Sequence, residues 1–298
     1  MLSCDIRDIS RRLLHNVISF RTLTEECATT DDLHPRVDFA EEALRMIKNA
    51  QEKGMVLRAM GATAIRLHCP KFTSLHKSLG RELSDLDVVG YSKQAGNFTK
   101  LMLSIGYEQR MLQPFYRQEN RQIYTDNFNK RVVDVFYDKV VMCHTINFRD
   151  RLEVDFPTIP LAELLLTKMQ IFEFTEKDLK DTVVLLREHE IGETDKETIN
   201  CSRIADIMSD DWEFYFTATT NLQKVEKLVA GLASMSEEDR ADVSAKIRKI
   251  SGYIESRPKS LGWKMRAKIG TKKKWYREVG SFKSATGGLN DAQATPAR

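Results

Sequence analysis

One acid stands inside an otherwise apolar, β-rich run, Val132-Val133-Asp134-Val135-Phe136, and it limits what this chain can fold into. A strand alternates its side chains between two faces, so Asp134 lies opposite Val133 and Val135. A buried carboxylate without a partner is costly, and the fold must bring one to it. The run closes the segment RQIYTDNFNKRVVDVFYD, two β-rich runs on either side of a polar DNFNK turn, which reads as a hairpin.

Two further acids, Asp85 and Asp87, stand two apart in Ser84-Asp85-Leu86-Asp87-Val88-Val89. On a strand both would project from one face, where like charges raise each other's pKa unless a cation sits between them. A hard dication such as Mg²⁺, or Mn²⁺, takes oxygen ligands and keeps positions for phosphate, and Asp134 is the natural third carboxylate. Upstream, Gly61-Ala62-Thr63 follows the short apolar run MVLRAM and precedes a short helical stretch. Glycine permits close backbone approach there, and the N–H groups of a helix start can hold a phosphate oxygen.

The rest of the chain sets these residues in an α+β order. Residues 5–18 have helical spacing, 21–37 read as a linker ending near Pro35, and DFAEEALRMIKNAQEKG reads as a helix capped by Asp38 and stopped at Gly54. KFTSLHKSLGRELS reads as a loop, and 94–105 as a helix ending at Gly106. Past Pro160 strand signals fade. LAELLLTKMQIFEFTEKDLKDTVVLLREHE reads as helix with a break near Thr175, and helices at 221–233 and 237–255 follow, the second led by the box Ser234-x-x-Glu237. The expected divisions are 1–37 (helix and linker), 38–160 (mixed sheet with flanking helices), 161–256 (helical) and 257–298 (basic tail, its GGLNDAQATPAR end disordered).

The order glycine turn, Asp-x-Asp strand, single-Asp strand resembles the DNA polymerase β-like nucleotidyltransferase superfamily. The matching residues are Met60-Gly61-Ala62, Asp85-Leu86-Asp87-Val88 and Val133-Asp134-Val135. The chain departs from that pattern at Ala62, where the family carries a second Gly or a Ser, and in a longer spacer to Asp85; Thr63 offers a hydroxyl next door. Leu164-Leu165-Leu166-Thr167-Lys168 and Lys177-Asp178-Leu179-Lys180-Asp181 resemble the Lys helix and KDxxD motif of the AbiEii-type nucleotidyltransferases, toxins of type IV toxin–antitoxin systems. The resemblance spans roughly residues 55–190. It implies a nucleotidyltransferase-like sheet, with Asp85, Asp87 and Asp134 binding metal and acting in catalysis. Gly61, Ala62, Thr63 and Lys168 would be placed on the nucleotide phosphates and Asp178 and Asp181 near the nucleotide. An NTP would be the substrate and an antitoxin protein a partner. Lys177 and Lys180 read as surface charges.

Charge distribution suggests an acceptor. Between Arg257 and Lys283 stand ten Lys or Arg against one acid, Glu278, in a chain whose net charge is +3. Lys272, Lys273 and Lys274 adjoin Trp275 and Tyr276, combining phosphate-binding charge with rings that stack on bases, so an RNA acceptor such as a tRNA 3′ end is expected. In the alternative, the rings dock this segment on the body while the lysines face water. Three other functions fit the sequence: transfer to protein, transfer to a small molecule as in aminoglycoside nucleotidyltransferases, and an inactive nucleic-acid-binding module on the same fold. His68, His76, His144 and His189 lack metal-ligand spacing and read as structural or surface residues; Arg66, Lys71 and Arg81 read as solvated loop charges. Five cysteines without a CxxC pair read as reduced thiols. With no apolar run long enough to span a bilayer and no secretory h-region, the expectation is a cytoplasmic protein without a membrane partner.

Overall fold

The computed structural model describes residues 34–110 and 120–279. The helix expected at 5–18, most of the expected linker and the expected disordered end lie outside the described residues.

Helix α1 (Phe39–Glu52) starts where the sequence places it. Asp38 Oδ1 accepts from the N–H groups of Ala40 and Glu41 at 2.8 and 3.1 Å. Past its end Gly54 takes φ +69°, a conformation glycine adopts without strain. Ala43, Met46, Ile47 and Ala50 bury one stripe of α1 against β1 (Leu57–Met60) and α2 (Gly61–His68). The stretch expected as loop contains one short helix, α3 (Thr73–Ser78), held by buried Leu75 and His76. Strand β2 (Leu86–Gly90), α4 (Ala95–Ser104), β3 (Glu108–Gln109), β4 (Arg121–Asp126) and β5 (Arg131–Tyr137) follow.

These strands form a mixed sheet in the order β1-β2-β5-β4-β3, extended past β5 by β6 (Lys139–Val141) and β7 (Thr145–Asn147). The expected hairpin is β4–β5, closed by Asp126, whose Oδ1 accepts from Phe128 N and Asn129 N at 3.0 Å. Along the path β1-β2-β5-β4-β3 every pair is antiparallel except β2–β5, which is parallel. A parallel pair needs a long crossover, and α4 with the β3–β4 segment supplies it.

Helix α5 (Leu161–Met169) is buried along its whole length, which explains its near-continuous apolar sequence. It contacts α2 and β7 on the sheet side and α6 (Glu176–Glu188) on the helical side. The expected break is real: Thr175 caps α6, and Asp178 returns the bond in a capping box. The helical half also contains a short parallel pair that the sequence reading missed, β8 (Glu190–Gly192) with β9 (Thr198–Asn200). Helices α7 (Cys201–Asp210), α8 (Trp212–Val229), α9 (Glu237–Ser256) and α10 (Leu261–Ile269) follow.

Three expectations about this half need correction. Helix α8 begins at Trp212, well before 221, because Asp211 caps it through Phe214 N. The cap of α9 is Ser236 with Asp239, two residues past the expected Ser234 box, since the Ser236 side chain is the one that meets the N3 amide. Part of the basic tail is helix α10, capped by Ser260 and set on α8.

The packing of α5 gives a direct test. Leu164 is fully buried, and Leu164→Ala is expected to lower unfolding free energy by about 2–5 kcal/mol in a urea titration.

Candidate active site

The parallel register sets Asp87 directly beside Asp134, with Leu86 beside Val133 and Val88 beside Val135. Val88, Val133 and Val135 face the core, and both acids project from the opposite face, where each is largely but not fully buried. The juxtaposition expected from sequence is therefore present for these two residues. Asp85 differs: it precedes β2, is exposed, and accepts from Ser84 Oγ at 3.1 Å. The strand begins one residue after Asp85, where Leu86 pairs with Val133. Asp85 nevertheless acts electrically on Asp87.

Met60 pairs with Asp87 across β1–β2, which brings Gly61 against the Asp87 side chain. Gly61 takes φ +66°, and a Cβ there would collide with Asp87 Oδ2. Only glycine meets both demands. The expected turn at Gly61-Ala62-Thr63 proves to be the first turn of α2 itself, and its N-cap, Met60, makes no side-chain cap bond. The opening amides of α2 thus have no capping side chain, an arrangement suited to an anion. Thr63 is buried and its Oγ1 has no hydrogen-bond partner.

Burial pushes the Asp87 carboxyl well above the usual carboxylate range, and the charges of Asp85 and Asp134 push it the same way. Lys168 and Arg121 pull in the opposite direction. Arg121, from β4, engages Asp134 with both oxygens, Nε to Oδ1 at 3.0 Å and Nη2 to Oδ2 at 2.8 Å, and its guanidinium lies over Phe136 at 5.2 Å. Arg121 is the partner that the sequence reading required of Asp134 and did not find. Among the described residues no group of three or more His, Cys, Asp or Glu is gathered tightly enough to hold a metal ion.

Lys168, on α5, meets Asp181 at 2.8 Å and Asp178 at 3.6 Å. Burial would lower its pKa, but the two carboxylates outweigh that and raise it. Asp181 is the hub of this cluster. Fully buried, it also binds His76 Nε2 at 2.9 Å and Arg81 through Nε at 2.9 Å and Nη2 at 3.0 Å. Burial opposes its ionisation, yet Lys168, His76 and Arg81 together hold its carboxyl far below the usual range. The structure thus places Asp178 and Asp181 as ion-pair and capping residues around Lys168. Lys177 is exposed and Lys180 pairs with Glu176 at 2.7 Å, as surface charges should.

One loop charge expected in solvent is interior: the Arg81 side chain is buried on Asp181, whereas Arg66, paired with Asp38 at 3.2 Å, is partly exposed and Lys71 is exposed as expected. His144 is buried, donates to or accepts from Thr217 Oγ1 at 2.8 Å, and burial with the nearby Arg277 charge pushes its pKa down to about 4. His189 is also buried, which lowers its pKa to about 3. A second cluster, missed in the sequence, surrounds fully buried Glu163 on α5. Arg151 meets it at 2.7 and 3.0 Å and Arg203 at 3.2 Å. Glu163 could have been suspected as an acid inside an apolar helix, but nothing local names its partners.

The basic segment beyond α10 folds back on the body. Tyr276 stacks on Phe172 at 3.6 Å, Trp275 packs edge-on against Phe172 and Phe216, and its Nε1 donates to Thr217 Oγ1 at 3.2 Å. Arg277 donates to Met142 O at 2.9 Å and Thr145 Oγ1 at 2.7 Å. The rings therefore dock the segment, as in the alternative weighed above, while Lys272, Lys273 and Lys274 face outward.

No protein-family model matches the chain, and no curated protein matches it in sequence. Among the described residues no helix is long and apolar enough to cross a membrane.

Two substitutions probe this site. Gly61→Ala forces a positive φ on alanine and displaces the Asp87 carboxylate, so a loss of stability of about 1–3 kcal/mol is expected by denaturant unfolding. Asp181→Asn removes the counter-charge of buried Arg81 and the nearer of the two on buried Lys168 and is expected to cost about 3–5 kcal/mol at neutral pH. Because the folded Asp181 pKa lies below the unfolded value, the wild-type advantage is complete above about pH 4. It fades as pH falls through the folded pKa, so the gap between wild type and variant should shrink in acid.

Proposed function

We propose that the chain is a metal-dependent nucleotidyltransferase that moves a nucleoside monophosphate from an NTP to an acceptor hydroxyl and releases pyrophosphate. One observation carries this reading: Asp87 and Asp134 stand side by side in register, and Gly61 opens an uncapped helix directly against Asp87. A carboxylate pair beside the uncapped start of a helix is what a metal-bound triphosphate requires.

The donors suit a hard dication. Asp87 is poorly compensated as an anion in the protein alone, and added positive charge would relieve it. Asp85 and Asp87 would hold Mg²⁺ or Mn²⁺, with Asp134 as third ligand once Arg121 yields it. The ion, when bound, supplies charge neutralisation to the triphosphate. The remaining work falls to the chain's own groups. The opening amides of α2 donate to phosphate oxygens, and Lys168, held by Asp181 and Asp178, keeps positive charge near Asp87. Asp134 takes the proton of the acceptor hydroxyl as that oxygen bonds the α-phosphorus and the bond to the bridging oxygen breaks. Thr63 hydroxyl, buried and unpartnered, stands where the motif lacks a second Gly or Ser.

Exposed Lys272, Lys273 and Lys274 favour RNA as the acceptor, through phosphate contacts rather than base stacking, because Trp275 and Tyr276 are committed to the body. On the same reading the enzyme acts as a toxin of a toxin–antitoxin pair in the cytoplasm.

The test is incubation of the protein with Mg²⁺, each α-³²P-labelled NTP in turn and total RNA, beside Asp87→Asn. Label on an RNA species, reduced at least a hundredfold in the variant, is the expected result. Absence of label on RNA and protein, together with no nucleotide binding by calorimetry, would overturn the proposal.

A further inference from the structure

Among the described α-helices, α10 is unusual because it buries no residue. Its inner side is nevertheless anchored. Trp263 packs edge-on against Tyr215 at 5.1 Å, and Arg266 donates to Glu213 at 2.6 Å with its guanidinium 4.7 Å above Trp212. The outer side carries Leu261, Met265 and Ile269, exposed to 75%, 62% and 46%. These residues are four apart and form one row along the helix. Lys264 and Lys268, both exposed, form the adjacent row.

Two parallel rows at four-residue spacing form the ridge and groove that another helix packs against. The aliphatic row asks for an apolar counterpart. The lysine row asks for acids, and from Arg257 to Lys274 the chain contains no acid of its own. Nucleic acid fits this face poorly, because it presents aliphatic side chains and the nearby rings, Trp263, Trp275 and Tyr276, pack on the body. We infer that α10 is a preformed docking face for an acidic amphipathic helix of another protein, which would set leucine-type residues on Leu261, Met265 and Ile269 and glutamates or aspartates on Lys264 and Lys268. The helix is about 13 Å long, enough for two to three turns of the partner. This site is separate from the carboxylate site and does not depend on the reading proposed for it.

The probe is a fluorescein-labelled helical peptide with leucines at the a and d positions of each heptad and glutamates around them, titrated with the full chain and followed by anisotropy. A scrambled peptide of the same composition serves as control. Binding at micromolar concentration is expected. It should weaken at least tenfold for the scrambled peptide, in Leu261→Glu with Met265→Glu, and in Lys264→Glu with Lys268→Glu, while urea midpoints stay at the wild-type value. Added salt should weaken binding to wild type and abolish most of the difference between wild type and the lysine variant. Four results would each overturn the inference: no peptide binding, equal binding of the scrambled peptide, binding of phosphatidylglycerol vesicles or RNA that is lost in the Leu261/Met265 variant, and a wild-type dimer by light scattering that this variant dissociates.

Discussion

The contact on which the rest depends is the ion pair between Lys168 and Asp181, closed away from water between α5 and α6. Two buried charges are tolerated only when their geometry is good and their spare hydrogen-bonding capacity is filled. His76 and Arg81 fill it on the Asp181 side. Because His76 belongs to α3 and Arg81 to the approach to β2, one carboxylate ties the approach to the Asp-x-Asp strand to the helical half. Removing that carboxylate would release the entry to β2 as well as Lys168.

Much of this arrangement was legible in the sequence where the signal is local. Period, caps and glycine stops located α1, the β4–β5 hairpin, and the split between α5 and α6, because each is set by neighbours within one or two turns. The parity of the strands placed Asp134 opposite Val133 and Val135, and Asp87 proved to be its companion. The longer-range pairings were not legible. Nothing near Asp134 names Arg121, since that bond follows from a register of the hairpin one strand over, and nothing near Arg81 or His76 announces Asp181. Helix α10 was hidden for a different reason: with no buried residue it has little apolar stripe facing the body, and a run of lysines resembles a solvated arm. Asp85 stands exposed one residue before β2, whose ladder with β5 starts at Leu86.

Thr217 shows how the tail is made part of the fold. Its hydroxyl lies between His144 Nε2 and Trp275 Nε1, and His144 in turn stacks on Phe214 at 5.0 Å. One small side chain on α8 therefore joins the end of the sheet to the docked aromatic segment. Buried His144 stays neutral in this setting, as an acceptor or donor to a single hydroxyl with an arginine nearby.

The parallel pairing of β2 with β5 carries a consequence for how the molecule comes into being. Asp87 meets Asp134 only after the whole β3–β4 excursion has been made, and His76 and Arg81 meet Asp181 across sequence separations of 105 and 100 positions. Contacts of that reach close late, after the intervening chain has been ordered. The strand pairing that sets the two carboxylates side by side thus needs the chain only through β5, whereas the anchoring of His76 and Arg81 waits for Asp181 on α6.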